Sequence, residues 1–378
     1  MVVWRSQPEK ARIYLIPLGP YIGRVSSGSG GLSLGGSAFN FAMARIIIQD
    51  FGKRIIDEIV PFDQLDTIQK QLPDTLAAQL QSLIDNFTNK PAHMRLNGLE
   101  RPLMFEKPLV MGVLNVTPDS FSDGGKFVDI DKAITHAIEM VDAGADIIDI
   151  GGESTRPGAT AVWEGEEKQR VLPVIEALQQ CKIPLSLDSR NAAVMEEGLT
   201  AGVHIINDVS ALTHDKRSLE VVKASNAPVI LMHSNGDPKT MQDTPSYDDV
   251  VLDVFDYLEG RIDFCVAAGI DKARLMVDPG IGFGKRVVND NLALINNLSL
   301  FHTLGCPLLL GVSRKRFIGA VSNVEAAEDR MAGSLAAGLA GLAQGAQILR
   351  VHDVDETVQA VKIFQGLNDA ALMDMLYN

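Results

Sequence analysis

Cysteine is scarce in this chain: Cys181, Cys265 and Cys306 are the three in 378 residues, and none stands in a Cys-x-x-Cys spacing. That excludes a disulfide scaffold and points to free, structural thiols in a reducing compartment. Long hydrophobic runs are also lacking. The most apolar N-terminal stretch, Phe39 to Ile48, is interrupted by Arg45 and is far shorter than the ~20 residues a bilayer helix needs. No basic segment followed by a cleavable apolar one opens the chain, so a cytoplasmic protein with no membrane partner is expected. Basic residues are in deficit, 34 Lys and Arg against 48 Asp and Glu, a net charge of -14. A phosphate backbone would be repelled over most of such a surface, so nucleic acid is not an expected partner and any phosphate must be held by a local basic site. Nor does Gly-Lys-Ser or Gly-Lys-Thr follow the Gly- and Ser-rich stretch from Gly19 to Gly36, which excludes a nucleotide-type phosphate loop and suits turns or a flexible loop.

What is present is a large apolar fraction, 46% against 22% charged, enough for a large buried core. From about residue 108 a rhythm repeats. A helix ends at a small residue plus Gly and an apolar strand follows at once, as at Asp142-Ala-Gly144 before Asp146 to Ile150, Thr200-Ala-Gly202 before His204 to Asn207, and Ala343-Gln-Gly345 before Gln347 to Val351. Gly just past a helix is a left-handed C-cap, and nearly continuous apolar strands are expected where both faces of a sheet are covered. The apolar runs predict strands near 109–115, 146–150, 183–188, 204–207, 228–233, 274–278, 307–312 and 346–351, each followed by a helical pattern. Eight such units match an α/β fold of the (β/α)8 or TIM-barrel type, with an open doubly wound sheet as the alternative.

The first hundred residues do not share the rhythm. Residues 1–95 read as a small N-terminal α/β extension of unassigned function, with a helix from Asp63 to Phe87, and residues 96–378 as the barrel. Leu96 to Lys107 reads as a β-hairpin turning through Asn97-Gly98 that would plug the amino-terminal end of that barrel.

Polar residues end nearly every predicted strand: Asn115; Asp149 with Glu153; Asp188; Asn207 and Asp208; His233; Asp278; Ser313 with Arg314 and Lys315; Arg350 with His352. Chemistry in parallel α/β folds collects at the carboxyl ends of strands, so this is a lined pocket. For Asp208, Asp248 and Ser154, helix capping or loop hydrogen bonding competes with function. Asp188, Asn207 and Asp278 with Lys315 suit a flat heterocycle bearing amino, ring N–H and carbonyl groups. Arg156, Arg350 and His352, joined by the hydroxyls of Thr155 and Ser313, form a basic half that suits phosphate, because Arg forks match its oxygens. Phe283, between glycines in Asp278-Pro-Gly-Ile-Gly-Phe-Gly-Lys285, offers an aromatic face in a loop. Asp188 and Asp278 as metal ligands are a different reading, although Mg2+ usually takes only one or two protein carboxylates together with phosphate oxygens.

Met111 to Gly124, Gly151 to Gly158, Asp278 to Lys285 and Ser313-Arg-Lys315 resemble the dihydropteroate synthases, as do Ile206-Asn-Asp-Val209, Leu231-Met-His233 with Pro238 to Gln242, and Arg350-Val-His-Asp-Val354. The resemblance implies condensation of 4-aminobenzoate with 6-hydroxymethyl-7,8-dihydropterin diphosphate, giving dihydropteroate and diphosphate for folate synthesis. It implies that Asp188, Asn207, Asp278 and Lys315 hold the pterin. Asn115 would bind Mg2+ with the diphosphate, whose oxygens Thr155, Arg156, Arg350 and His352 would grip. Phe121, Pro157, Phe283 and Ser313, with Arg314 beside them, would shape the aminobenzoate site. A homodimer through the last helices, where Ala332 to Leu342 is small and apolar, and a sulfonamide target are further implications. Asp188-Ser-Arg190 and Ser234 depart from the family's usual pattern, the second where an apolar residue often packs near the pterin. A pterin-dependent methyltransferase, or a lapsed pterin-binding homologue, are the competing readings.

Overall fold

Strands rich in Ile, Leu and Val that are buried on both faces belong in a parallel sheet covered by helices, and that is where the sequence places them. A computed structural model describes residues 4–23, 31–117, 126–153, 162–236 and 245–377, without the side chains of 126–129 and 374–377. Its larger sheet has eight parallel strands: β5 (Leu109–Asn115), β6 (Ile147–Gly151), β7 (Leu185–Asp188), β8 (Ile205–Asp208), β9 (Val229–Met232), β10 (Leu275–Asp278), β11 (Leu309–Leu310) and β12 (Ile348–Val351). They run in the order β10-β9-β8-β7-β6-β5-β12-β11, and a parallel bridge from Val277 to Leu308 joins the two ends. The fold is a TIM barrel, with helices following the strands. β11 is shorter than the predicted 307–312, because Pro307 has no N–H to give and only Leu308 bridges to β10.

Side chains two apart on a strand share a face. Ile147, Ile205, Met276 and Ile348 form an apolar layer at the amino-terminal end of the barrel, completed by Met111, Ile230 and Leu309. Two residues further along the same strands stand Asp149, Asn207, Asp278 and Arg350. The interior therefore changes from apolar to polar within one step of the pleat, and the polar layer faces the carboxyl ends. The segment that joins the extension to the barrel does cap the apolar end, with Met94, Leu96 and Leu103 packed into that layer. It turns at Asn97-Gly98, where Leu99 N donates to Leu96 O at 3.2 Å, but its ladder is a single bridge, Met94 to Leu103.

The extension is a four-stranded antiparallel sheet around β3 (Phe39–Asp50), flanked by β1 (Arg12–Ile22), β4 (Lys53–Pro61) and the short β2 (Leu32–Ser33), with helices α1 (Leu65–Gln69) and α2 (Asp74–Thr88). The single helix expected from Asp63 to Phe87 is two, because Pro73 breaks the run and stands at the start of α2. Leu76, Leu80, Leu83 and Phe87 make the buried stripe of α2. Strand β1 covers the turn of helix at Leu298–Leu304: Ser299 Oγ donates to Pro17 O at 2.6 Å, and Asn86 Nδ2 of α2 to Thr303 O at 2.9 Å. Tyr14 donates to Asp256 at 2.9 Å on α7 (Val250–Ala267). Helix α7 is capped by Asp249, which accepts from Val251 N and Leu252 N, so the cap expected at Asp248 sits one residue on.

Candidate active site

The barrel register lines up Asn115, Gly151, Asp188 and Asn207 across four neighbouring strands. A Cβ on Gly151 would lie 3.8 Å from both Asn115 Oδ1 and Asp188 Oδ2, so the glycine keeps the floor low between an amide and a carboxylate. The polar layer shares Asn207 with this row and reaches Asp188 through Arg350. Arg350 donates from Nε to Asp149 Oδ2 at 2.6 Å and from Nη2 to Asp188 Oδ2 at 2.7 Å, and Asn207 Nδ2 donates to the same Asp149 oxygen at 3.0 Å. Asp149 is fully buried. Arg350, read from sequence as part of the basic half, stands in the inward polar layer and also joins the acids. Asp149, one of the strand-end polar residues but given no role from sequence, is the shared acceptor; a wholly buried acid inside Ile147-Ile-Asp-Ile-Gly151 was its signal.

Burial pushes the Asp188 carboxyl up to about 7, with Arg350 pulling the other way. Its Oδ1 is buried and has no hydrogen-bond partner among the described residues. Because the folded state keeps a proton that the unfolded chain has already lost, this carboxyl erodes stability as pH climbs from its ordinary 3.8 to about 7. In Asp188→Asn that erosion disappears. The stability difference between variant and parent, measured by urea unfolding, should move in the variant's favour across that window and level off above it; parallel curves would contradict the assignment.

Asp278 ends β10 and accepts from Gly280 N at 2.7 Å, while burial raises its carboxyl too. Lys315 approaches from the turn after β11. Its ammonium lies 4.1 Å from the centre of the Phe283 ring and donates to Ile281 O, and burial lowers its amine to about 7 against the pull of Asp278. Phe283 is thus placed by a cation on its face. Behind the same turn is a residue that sequence reading left without a role. Lys285, almost fully buried, touches His233 Nδ1 at 2.8 Å and donates to His233 O at 3.3 Å and Phe283 O at 3.1 Å. Burial holds its amine well below the usual range and takes His233 down to about 2, and the contacts between the two lock the end of β9 to the glycine turn. Two lysines grip that turn, one from each side.

Ser313 Oγ accepts from His352 N at 3.1 Å and lies 3.0 Å from His352 Nδ1, so these two predicted residues meet. Arg314 does not join them through its guanidinium. Its backbone is left-handed, with φ of 57°, and its Nε donates to Asp353 Oδ2 at 3.1 Å, which commits the side chain to holding the turn. Asp208 accepts from Ser210 N and Leu212 N, the loop role weighed for it from sequence. Phe121, Ser154, Thr155, Arg156 and Pro157 lie outside the described residues. Among the described residues no cluster of three or more His, Cys, Asp or Glu could hold a metal ion. Cys265 and Cys306 are buried free thiols and Cys181 is a half-buried one.

A family model described as "Pterin binding enzyme" matches residues 111–352. The chain is 47% identical over 274 residues to the dihydropteroate synthase of Escherichia coli (strain K12), covering 72% of this chain and 96% of that one. It is 46% identical over 263 residues to that of Bacillus subtilis (strain 168), covering 69% and 89%. Among solved structures, the Yersinia pestis dihydropteroate synthase with a sulfonamide drug complex superposes with a TM-score of 0.69 at 47% identity, covering 74% of this chain and 100% of that one. The Xanthomonas albilineans dihydropteroate synthase in complex with 7,8-dihydropteroate gives 0.66 at 44% identity, covering 72% and 98%.

Proposed function

The chain belongs to the pterin-binding enzyme family and carries the transferase activity of the dihydropteroate synthases, and from this we propose how its residues divide the work. The observation that carries the reading is the polar layer: a buried Asp188 oxygen without a protein partner, beside Asn207, Asp278 and Lys315, in a barrel like one solved with 7,8-dihydropteroate. Asp188 accepts from the amino and ring N–H edge of the pterin. Asn207 and Asp278 add an amide and a second acceptor, and Lys315 donates to ring acceptors while keeping Phe283 in place. Arg350 keeps the Asp188 carboxylate charged and oriented, and with His352, Thr155 and Arg156 presents donors to the diphosphate.

The pterin C–O bond breaks with its electron pair leaving on diphosphate, and the methylene carbon so exposed is attacked by the nitrogen of 4-aminobenzoate, which then releases a proton. A weakly basic arylamine needs no strong general base, in keeping with a site built from binding groups. Phe121, Pro157, Phe283 and Ser313 frame that second substrate, and Arg314 holds the turn that carries Ser313. Asn115 is the one residue proposed for Mg2+. A single amide oxygen at a strand end, with no carboxylate cluster among the described residues, fits a Mg2+ that takes few protein ligands and several phosphate oxygens. When bound, it would neutralise charge on the leaving diphosphate.

A homodimer is part of the same proposal. Helix α10 (Met331–Leu342) carries no charged residue and leaves Met331, Ala332, Ala336 and Ala340 exposed along one side. The free cysteines support residence in the cytoplasm.

Incubation with the pterin diphosphate, labelled 4-aminobenzoate and Mg2+ should give labelled dihydropteroate. Asp188→Asn should weaken pterin binding by roughly tenfold to a hundredfold, the worth of a charge-assisted hydrogen bond. Arg156→Ala should cut turnover heavily and leave the affinity for the unphosphorylated pterin nearly intact. Failure to form product where a known synthase works would overturn the reading.

A further inference from the structure

Residues 153 and 162 flank the segment that carries Thr155 and Arg156, and one side chain ties them together. Glu153 accepts from the backbone N–H of Val162 at 3.1 Å through Oε1. The same carboxylate is gripped by Arg190, whose Nη2 donates to Oε1 and Nε to Oε2, both at 3.1 Å. The pair is nearly buried, with side-chain exposures of 10% for Arg190 and 6% for Glu153. Gly152 is fixed on the other side. Arg170 Nη1 donates to its carbonyl at 2.7 Å, and a Cβ on it would come within 2.8 Å of Val171 and 3.0 Å of Glu167 on α4 (Glu164–Leu178).

Arg190 stands two residues after Asp188, and the intervening Ser189 is held by its N–H to Asn207 O at 3.1 Å. We infer that Arg190 is a positioning residue, which through Glu153 clasps the neck of the 154–161 segment to the strand end bearing the pterin carboxylate, so that diphosphate is gripped in register with the pterin. The inference rests on the proposed roles of Thr155 and Arg156. It assigns a task to a residue at which this chain departs from its family's usual pattern. Arg and Lys differ here: a planar fork meets both carboxylate oxygens, whereas an ammonium meets one point.

The test compares binding of 6-hydroxymethyl-7,8-dihydropterin and of its diphosphate ester to the full chain by calorimetry, together with kcat and KM. Arg190→Met should reduce the preference for the diphosphate ester about tenfold and lower kcat, with affinity for the unphosphorylated pterin unchanged; Arg190→Lys, which keeps the charge but not the fork, should recover only part of the loss. Removing Arg190 alone strands a buried carboxylate and can unfold the chain. The pair Glu153→Gln with Arg190→Met removes both charges, and should fold while still losing the diphosphate preference. If the folded double variant keeps the parent's preference, or loses affinity for both pterins equally, the clasp is wrong. Arg156→Ala serves as the reference: no loss of diphosphate preference there defeats the role assigned to Arg156, whereas a loss there with none in the Arg190 variants defeats the clasp alone.

Discussion

Arg350→Met is expected to be the most damaging single replacement in the polar layer. The guanidinium is the cation shared by Asp149 and Asp188, bonded to both at 2.6 and 2.7 Å. Met fills much the same volume, so what is lost is charge and hydrogen bonding more than packing. Removing one partner of a buried pair typically costs about 3–5 kcal/mol, because the remaining charge stays buried and uncompensated. Burial already pushes the Asp188 carboxyl up to about 7, and losing the arginine that pulls it down would shift it further toward the protonated form. An acid in that form no longer offers a charged acceptor to the pterin edge, so kcat/KM should fall by about a hundredfold or more. Urea unfolding and steady-state kinetics read the two effects separately. Adding Asp149→Asn to Arg350→Met removes one stranded carboxylate and should recover part of the stability without recovering activity. A double variant no more stable than the single one would show that stranded charge is not the cause.

That layer shows how much of the site is legible in the sequence. The βα rhythm exposes the barrel because two local signals, Gly after a helix and apolar runs buried on both faces, recur along the chain. The strand ends are legible for the same reason, since the pleat decides which residues look inward once the strands are known. Pairing is not legible. Nothing local says that Arg350 on the last strand meets Asp149 and Asp188 on the second and third; that follows from barrel closure, with β12 beside β5. Lys285 and Arg190 escape sequence reading as partners for a related reason. Each is a basic side chain with a partner on another loop, His233 for one and Glu153 for the other. In the extension, the helix break at Pro73 is written in the sequence, yet the apolar spacing spans it and masks the stop.

Gly280→Ala tests the glycine turn that follows β10. As a glycine pattern alone, Asp278-Pro-Gly-Ile-Gly-Phe-Gly-Lys285 is weak evidence for a site, but the structure puts its first glycine in a demanding place. Gly280 has φ of 69°, and a Cβ there would lie 1.9 Å from His233 O and 3.0 Å from the carbonyl carbon. The left-handed backbone alone costs a non-glycine residue about 1–2 kcal/mol. The overlap is with main chain, which no rotamer change can relieve, so the turn or the end of β9 has to move. Either movement breaks into the site, because Gly280 N holds Asp278 Oδ1 at 2.7 Å and His233 N holds Asp278 O at 3.0 Å. It also drags Ile281 O and Phe283, the two groups that seat Lys315. A stability loss of about 3–4 kcal/mol is expected, at the upper end for single substitutions, with kcat/KM down about a hundredfold. The neighbouring glycines supply the scale. A Cβ on Gly282 would meet only the flexible stem of Lys315, at 3.0 Å, whereas one on Gly284 would meet Asn235 O at 2.7 Å. Stability should therefore fall most at Gly280, less at Gly284 and least at Gly282, while Gly282→Ala, by pressing on Lys315, should still weaken pterin binding. A Gly280→Ala protein as stable as the parent would mean that β9 and the turn can part without cost, and the locking role of Lys285 and His233 would fall with it.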